Sequence, residues 1–317
     1  MNSSQMLYAM RITAVILCSC LLIAPSLASA KKKKRSQTLH YYIQAEEVDW
    51  DYAPWYPGPN PIFGTPRDIL GENVFLDDGV GKIYKKAVYR EYTDDTFTVQ
   101  KDRPAYLGTL GPIIRAEVGN TIKIHLRNNL MTPRLAPHPV TGYARNVSIH
   151  PHGVQYEKDS EGAFYADGTE GSEKADDVVA PGDTHVSTWK VPRRSGPGPG
   201  DPSSIVWVYH SHTPSVIGEI QAGLSGVIVI TAKGKARYDA DGRPHPKDVD
   251  RELVNLWAVF DENRSLYADL NFEPCGETFC GIYSGGDIHE AEEAFEESNL
   301  MHSINGLGIV PCGVDLL

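Results

Sequence analysis

The chain has 317 residues, room for about two domains at roughly 100–200 residues each. It sets 30 Lys and Arg against 41 Asp and Glu, a formal charge of -11. An acidic surface argues against a nucleic-acid partner, because phosphates reward Lys and Arg. Past the N-terminal segment, no stretch is apolar and long enough to span a bilayer, which takes about 20 residues.

Residues 1–30 carry Arg11, then the apolar run T-A-V-I-L-C-S-C-L-L-I-A-P, then Ala28-Ser29-Ala30. That order is the signature of a cleaved secretory signal peptide, with an uncleaved anchor as the alternative. Residues 31–37 follow as a basic tail, read as solvated. From there the sequence is β throughout. Short runs of Val, Ile, Tyr and Thr, punctuated by Gly, Pro, Asn and Asp, predict strands at 38–48, 83–92, 113–118, 121–128, 146–150, 184–191, 206–210 and 226–231. The pair within 113–128 turns tightly at Gly119-Asn120, and Ile122, Ile124 and Leu126 alternate with Lys123, His125 and Arg127. Strands at this spacing indicate an all-β sandwich or barrel, with loops at 54–64, 132–142 and 193–202. The first domain is placed at 38–232 and an interdomain linker at 233–247. A partial second domain follows at 248–317, with a fresh strand at 252–260 and a short solvated helix or loop at 290–297. About 70 residues is small for an independent sandwich, so this segment is expected to pack poorly by itself.

Of the five cysteines, Cys18 and Cys20 lie in the signal segment, leaving Cys275, Cys280 and Cys312. Three is an odd number, and the pairing stays open. Asn146-Val147-Ser148 and Asn263-Arg264-Ser265 are glycosylation sequons. They fit a secreted glycoprotein.

Two stretches carry chemistry. Residues 149–154 read I-H-P-H-G-V, and residues 207–213 read W-V-Y-H-S-H-T. In a strand, side chains at i and i+2 point to one face. Their Cα atoms are about 6.5–7 Å apart. That is wide for chelating one ion and suited to presenting imidazoles to neighbouring ions. Neutral imidazole suits copper. His150, His152, His210 and His212 are therefore the candidate metal ligands. Pro151 removes a backbone donor, which places its strand at an edge or leaving the sheet. Gly153 allows close packing or a sharp turn. His40, His125, His138, His185, His245, His289 and His302 read as ordinary surface or loop residues. Glu161, Asp167, Asp176 and Asp177 could orient ligands, although solvated turn residues are the favoured reading.

These stretches bring out a family resemblance. Y-Y-I-Q-A-E-E-V-D-W-D-Y-A-P from Tyr41, L-G-P-I-I-R-A-E-V-G-N-T-I from Leu110, H-P-H-G-V from His150 and E-G-A-F-Y-A-D-G-T from Glu161 resemble the N-terminal part of ceruloplasmin- or hephaestin-type multicopper oxidases. So do A-D-D-V-V-A-P-G-D from Ala175, Y-H-S-H from Tyr209, A-G-L-S-G from Ala222 and M-H-S-I-N-G from Met301. The A domains of clotting cofactors five and eight share this ancestry. The resemblance implies a cupredoxin-like Greek-key β-sandwich, complete in the first domain and incomplete in the second. It also implies copper. His150 would serve a type 2 copper, and His152, His210 and His212 would serve type 3 coppers, in a trinuclear cluster that reduces dioxygen to water. The reducing substrate would be ferrous iron or a similar donor. Half of such a cluster comes from later cupredoxin domains, and no cysteine here has the adjacent histidine of a type 1 site. The expectation is the N-terminal portion of a secreted ferroxidase-like oxidase, completed by missing C-terminal domains or a partner chain. The alternative is a non-catalytic secreted copper-binding or interaction module.

Overall fold

Residues that alternate in the sequence alternate between core and solvent in the fold. A computed structural model of the chain describes residues 37–55, 80–281 and 285–311. The stretch read as a signal peptide, the basic tail up to residue 36, most of the 54–64 loop and Cys312 lie outside these. The elements run β1 (Thr38–Asp51), β2 (Ile83–Tyr92), β3 (Ile114–Glu117), β4 (Thr121–Asn128), β5 (His150–Pro151), β6 (Thr184–Lys190) and β7 (Ser204–His210). They continue with α1 (Val216–Ala222), β8 (Ser225–Thr231), β9 (Ala236–Tyr238), β10 (Pro244–Pro246) and β11 (Trp257–Asp261). Last come α2 (Ala268–Phe272), α3 (Ile288–Ser298), β12 (Leu300–Ile304) and β13 (Leu307–Pro311).

Two four-stranded sheets, ordered β2-β1-β4-β6 and β3-β8-β7-β5, form the sandwich. Tyr41, Ile43, Ile122, Ile124 and Trp189 from the first sheet meet Ile114, Tyr209, Ile228 and Ile230 from the second in one core. The Gly119-Asn120 turn is present: Asn120 N–H donates to Glu117 O at 2.9 Å, and Asn120 Oδ1 accepts from Glu117 N–H at 2.7 Å. Its flanking strands are not a hairpin, however. β3 pairs in parallel with β8, and β4 lies between β1 and β6. Both strands carry an apolar face, and stepping from one sheet to the other buries both faces in the same core.

The stretch 233–247, read as a linker, carries the β9–β10 hairpin. Arg243 fixes it: its guanidinium stacks 3.5 Å from the Tyr41 ring centroid and donates to His40 O and Glu91. Beyond it, β11-β12-β13 form a small sheet. The strand expected from residue 252 starts only at Trp257. The acidic stretch is a helix, α3. Asp287 caps it by accepting from His289 N–H at 2.8 Å, and Ala291 and Phe295 are its buried residues. α1 has seven residues, too few to show a period in the sequence. Cys275 and Cys280 are joined by a disulfide, which settles their pairing. Among the described residues no helix is long and apolar enough to cross a membrane.

The C-terminal segment packs on the sandwich rather than standing apart. Asn271 caps the edge of β2, accepting from Lys85 N–H at 2.8 Å and donating to Lys85 O at 3.2 Å. A second apolar cluster joins Tyr52 and Tyr84 to Phe260 and Met301. At its centre Lys86 and Glu262, both wholly buried, form an ion pair. Lys86 Nζ also reaches Tyr52 OH at 2.7 Å and Gln221 O at 2.8 Å. Removing one partner of a buried pair leaves an uncompensated charge. Lys86→Met is therefore expected to lower stability by about 3–5 kcal/mol in urea denaturation. Lys190→Met, which breaks only a surface pair with Glu157, is expected to cost less than about 1 kcal/mol. Equal losses for the two variants contradict the assignment.

Candidate metal centre

Strand pairing brings the two histidine pairs together. β5 is the edge strand beside β7, as Pro151 requires, and His150 stands directly opposite His210. Cross-strand partners share a face of the sheet. His152 and His212 lie just past the ends of the two strands. Ring centroids are 5.2 Å apart for His150–His152, 5.6 Å for His150–His210, 5.4 Å for His150–His212 and 5.3 Å for His152–His210. The Nε2 atoms of His152 and His210 face each other at 3.1 Å.

The surrounding chain orients these rings. His150 Nδ1 donates to Glu161 O at 2.7 Å and His210 Nδ1 to Ser211 O at 2.9 Å. Each leaves its Nε2 as the acceptor, in the way metal-ligating imidazoles are held from behind. His212 Nε2 lies 3.3 Å from Tyr165 OH, while His212 Nδ1 is buried without a hydrogen-bond partner. A buried ring nitrogen without a partner is costly, and a metal ion would satisfy it. The donor set, all imidazole, suits copper or zinc. Among the described residues, no three or more His, Cys, Asp or Glu side chains are arranged to hold an ion unaided. A bound metal would draw further ligands or shift these rings.

Several supports were not apparent in the sequence. Ser148, the third residue of a sequon, ties the two strands: its N–H donates to Ser211 Oγ at 3.0 Å, its hydroxyl donates to Gly162 O at 2.6 Å and accepts from His212 N–H at 2.8 Å. The neighbouring Asn146 is 8% exposed, so this sequon lies inside the fold. In the other, Asn263 Nδ2 is engaged with Asp261 Oδ1 and Glu296 O. Asp176 is buried and accepts from Gly162 N–H at 2.6 Å. It therefore holds the loop whose Glu161 carbonyl orients His150, and is no solvated turn residue. Burial raises its pKa, and the Gly162 hydrogen bond opposes this. Asp177 is also buried and pairs with Lys174, whereas Glu161 and Asp167 pair with Lys158. Glu219, wholly buried on α1, accepts from the N–H and hydroxyl of Thr213, fixing the chain just after His212.

Two glycines are required here. Gly162 has φ +65°, and a Cβ on it would lie 2.2 Å from Ile149 O; Gly153 has φ +73°, and its Cβ would enter the Trp207 ring at 2.1 Å. The close packing and the turn anticipated at Gly153 are both present. The remaining histidines lie elsewhere. His245 sits between Asp239 and Glu252, and His185 Nε2 meets Asp159 O. His40 and His125, read separately as surface residues, meet at 3.0 Å across β1 and β4.

Residues 106–235, which include all four clustered histidines, match the family model described as multicopper oxidase. That stretch is thus a multicopper-oxidase-like domain. The chain is homologous to the hephaestin and ceruloplasmin branch of that family. It is 40% identical to hephaestin from Homo sapiens over 270 residues, covering 84% of this chain and 21% of that protein. It is 40% identical to ferroxidase HEPHL1 from Homo sapiens, covering 85% and 21%. It is 36% identical to ceruloplasmin from Homo sapiens, covering 84% and 23%. The chain thus spans 21–23% of the length of these relatives. Among solved structures, copper nitrite reductase from Nitrosomonas europaea aligns with a TM-score of 0.40 and 18% identity, over 73% of this chain and 52% of that one.

Burial lowers the pKa of His150 to about 4; the Glu161 carbonyl opposes this, and the other three imidazoles add to it. His210 is lowered for the same leading reason. Because the folded pKa of His150 lies below the ordinary 6.5, the unfolded state binds more protons below that pH. The stability His150 contributes is present above pH 6.5 and is lost as pH falls toward about 4. In a proton NMR titration of the metal-free chain, the His150 ring resonances are expected to shift with a midpoint at about pH 4. Titration near 6.5 contradicts the burial account.

Proposed function

We propose that His150, His152, His210 and His212 form one wall of a trinuclear copper cluster in a secreted, ferroxidase-like multicopper oxidase. In this reading His150 serves the type 2 copper and the other three serve the type 3 coppers. The observation that carries it is the meeting of both histidine pairs on one face, with a buried His212 nitrogen left without a partner. Copper held there would supply one-electron redox chemistry for reducing dioxygen to water with electrons from ferrous iron. This chain's part is binding and orientation. Glu161 O and Ser211 O fix the tautomers of His150 and His210. Ser148 and Glu219 hold the His212 segment. Burial keeps His150 and His210 neutral, so that ring lone pairs remain available. Secretion rests on the signal peptide in residues 1–30. The remaining ligands and the electron-entry site would come from further cupredoxin domains or a partner chain.

A second reading, a non-catalytic copper-binding module, draws on the Cys275–Cys280 disulfide. Neither sulfur is then a thiolate for a type 1 copper. The test is titration of the metal-free chain with Cu(II), followed by electron paramagnetic resonance and visible absorption. The proposal expects substoichiometric copper with coupling to imidazole nitrogen, no intense blue band, and loss of that copper when all four histidines are changed to Ala. Undiminished uptake in the fourfold variant contradicts it, as does an intense blue band, which requires a copper–thiolate bond.

A further inference from the structure

A cleft of about 310 Å³ opens between β2, residues 101–107, the start of β3 and the β9–β10 hairpin. Most charges around it are matched. Lys101 and Arg243 share Glu91, Arg115 takes Glu252, and His245 lies between Asp239 and Glu252. Arg90 and Arg103 are different. Arg90 is 8% exposed, lines the cleft and, among the described residues, makes one hydrogen bond, from Nη1 to Tyr89 O at 3.0 Å. Arg103 lines the same cleft and donates to Leu110 O at 2.8 Å. Neither guanidinium forms an ion pair with a described carboxylate.

A buried cation is costly unless an anion accompanies it. Here a buried guanidinium, Arg90, shares the cleft with the half-buried Arg103. Burial and then the charge of Arg103 lower the pKa of Arg90 to about 10, with the Glu46 carboxylate opposing them, and burial lowers that of Arg103. A guanidinium presents a planar fork that fits carboxylate or phosphate oxygens in bidentate fashion. The cleft volume admits a small molecule, and Asp102, Asp239 and Asp241 along its lining disfavour a polyanion such as nucleic acid.

We infer that Arg90 and Arg103 form an anion site that takes a small molecule bearing a carboxylate or phosphate group. This site is independent of the histidines and of copper. Isothermal titration calorimetry of the full, metal-free chain tests it, with citrate in one arm and inorganic phosphate in the other. At least one anion is expected to bind one-to-one with a Kd of 1 mM or tighter on an order-of-magnitude basis, ~1 mM at the weak limit. Added sodium chloride should weaken it. Arg103→Gln, at a half-buried position, is expected to weaken binding at least about tenfold, as is Arg90→Gln if circular dichroism shows it folded. Binding of citrate alone assigns a carboxylate ligand, and of phosphate alone a phosphate ligand. No heat from either anion at about 10 mM, or unchanged affinity in a folded Arg103→Gln chain, overturns the inference.

Discussion

The antiparallel register of β5 on β7 is the constraint from which the histidine face follows. His150 opposes His210 and Pro151 opposes Tyr209. A slip by one residue would turn one pair to the other side of the sheet. Tyr209 fixes the register from within: its ring is wholly buried in the core and its hydroxyl donates to Pro112 O at 2.8 Å. Ser148 fixes it from the stretch just before β5, bonding to both Ser211 and His212. Four rings from two strands are thus brought onto one face of the sheet.

Such a surface has an energetic cost that the rest of the fold offsets. Burial that lowers the pKa of His150 and His210, and a His212 nitrogen left without a partner, set polar groups against the fold when no metal is bound. The stabilising interactions lie elsewhere: the shared core of the two sheets, and the polar contacts that seat the C-terminal segment. Arg145 is the clearest example of the second kind. Wholly buried, it donates to Thr132 O and Leu266 O, pairs with Asp269, and lies 4.1 Å from the Tyr267 ring centroid. Asn305 acts similarly through Tyr106 O and Val254 O. Groups this buried are tolerated only because each finds partners. Together they tie residues 250–306 to the first sheet and its loops.

Local runs of β-branched and aromatic residues, strictly alternating in β4, made the sandwich strands readable from the sequence: β2 and β4 begin and end where those patterns place them. The four histidines were readable for the same reason, since same-face spacing needs no tertiary knowledge. What sequence could not convey is which strands pair. The Gly119-Asn120 turn has hairpin chemistry yet joins two sheets, because burial of both apolar faces outweighs local turn preference. The hairpin at 236–246 was hidden by polar, Gly- and Pro-containing text, and is held by Arg243 on Tyr41, about 200 positions earlier. Asp176 and Ser148 looked like turn and sequon residues. Their roles arise from contacts 14 residues away, with Gly162. Helix α1 carries no periodic signal in seven residues, but it delivers Glu219 beneath the second histidine pair.

On this proposal, metal binds between the two histidine pairs rather than at any other described histidine. An anomalous-difference map at the copper edge, from crystals of the full chain grown metal-free and then soaked with Cu(II), tests this directly. The account predicts the strongest density among His150, His152, His210 and His212. Density concentrated instead at His40 and His125, or absent from the four-histidine face at full soaking, contradicts it.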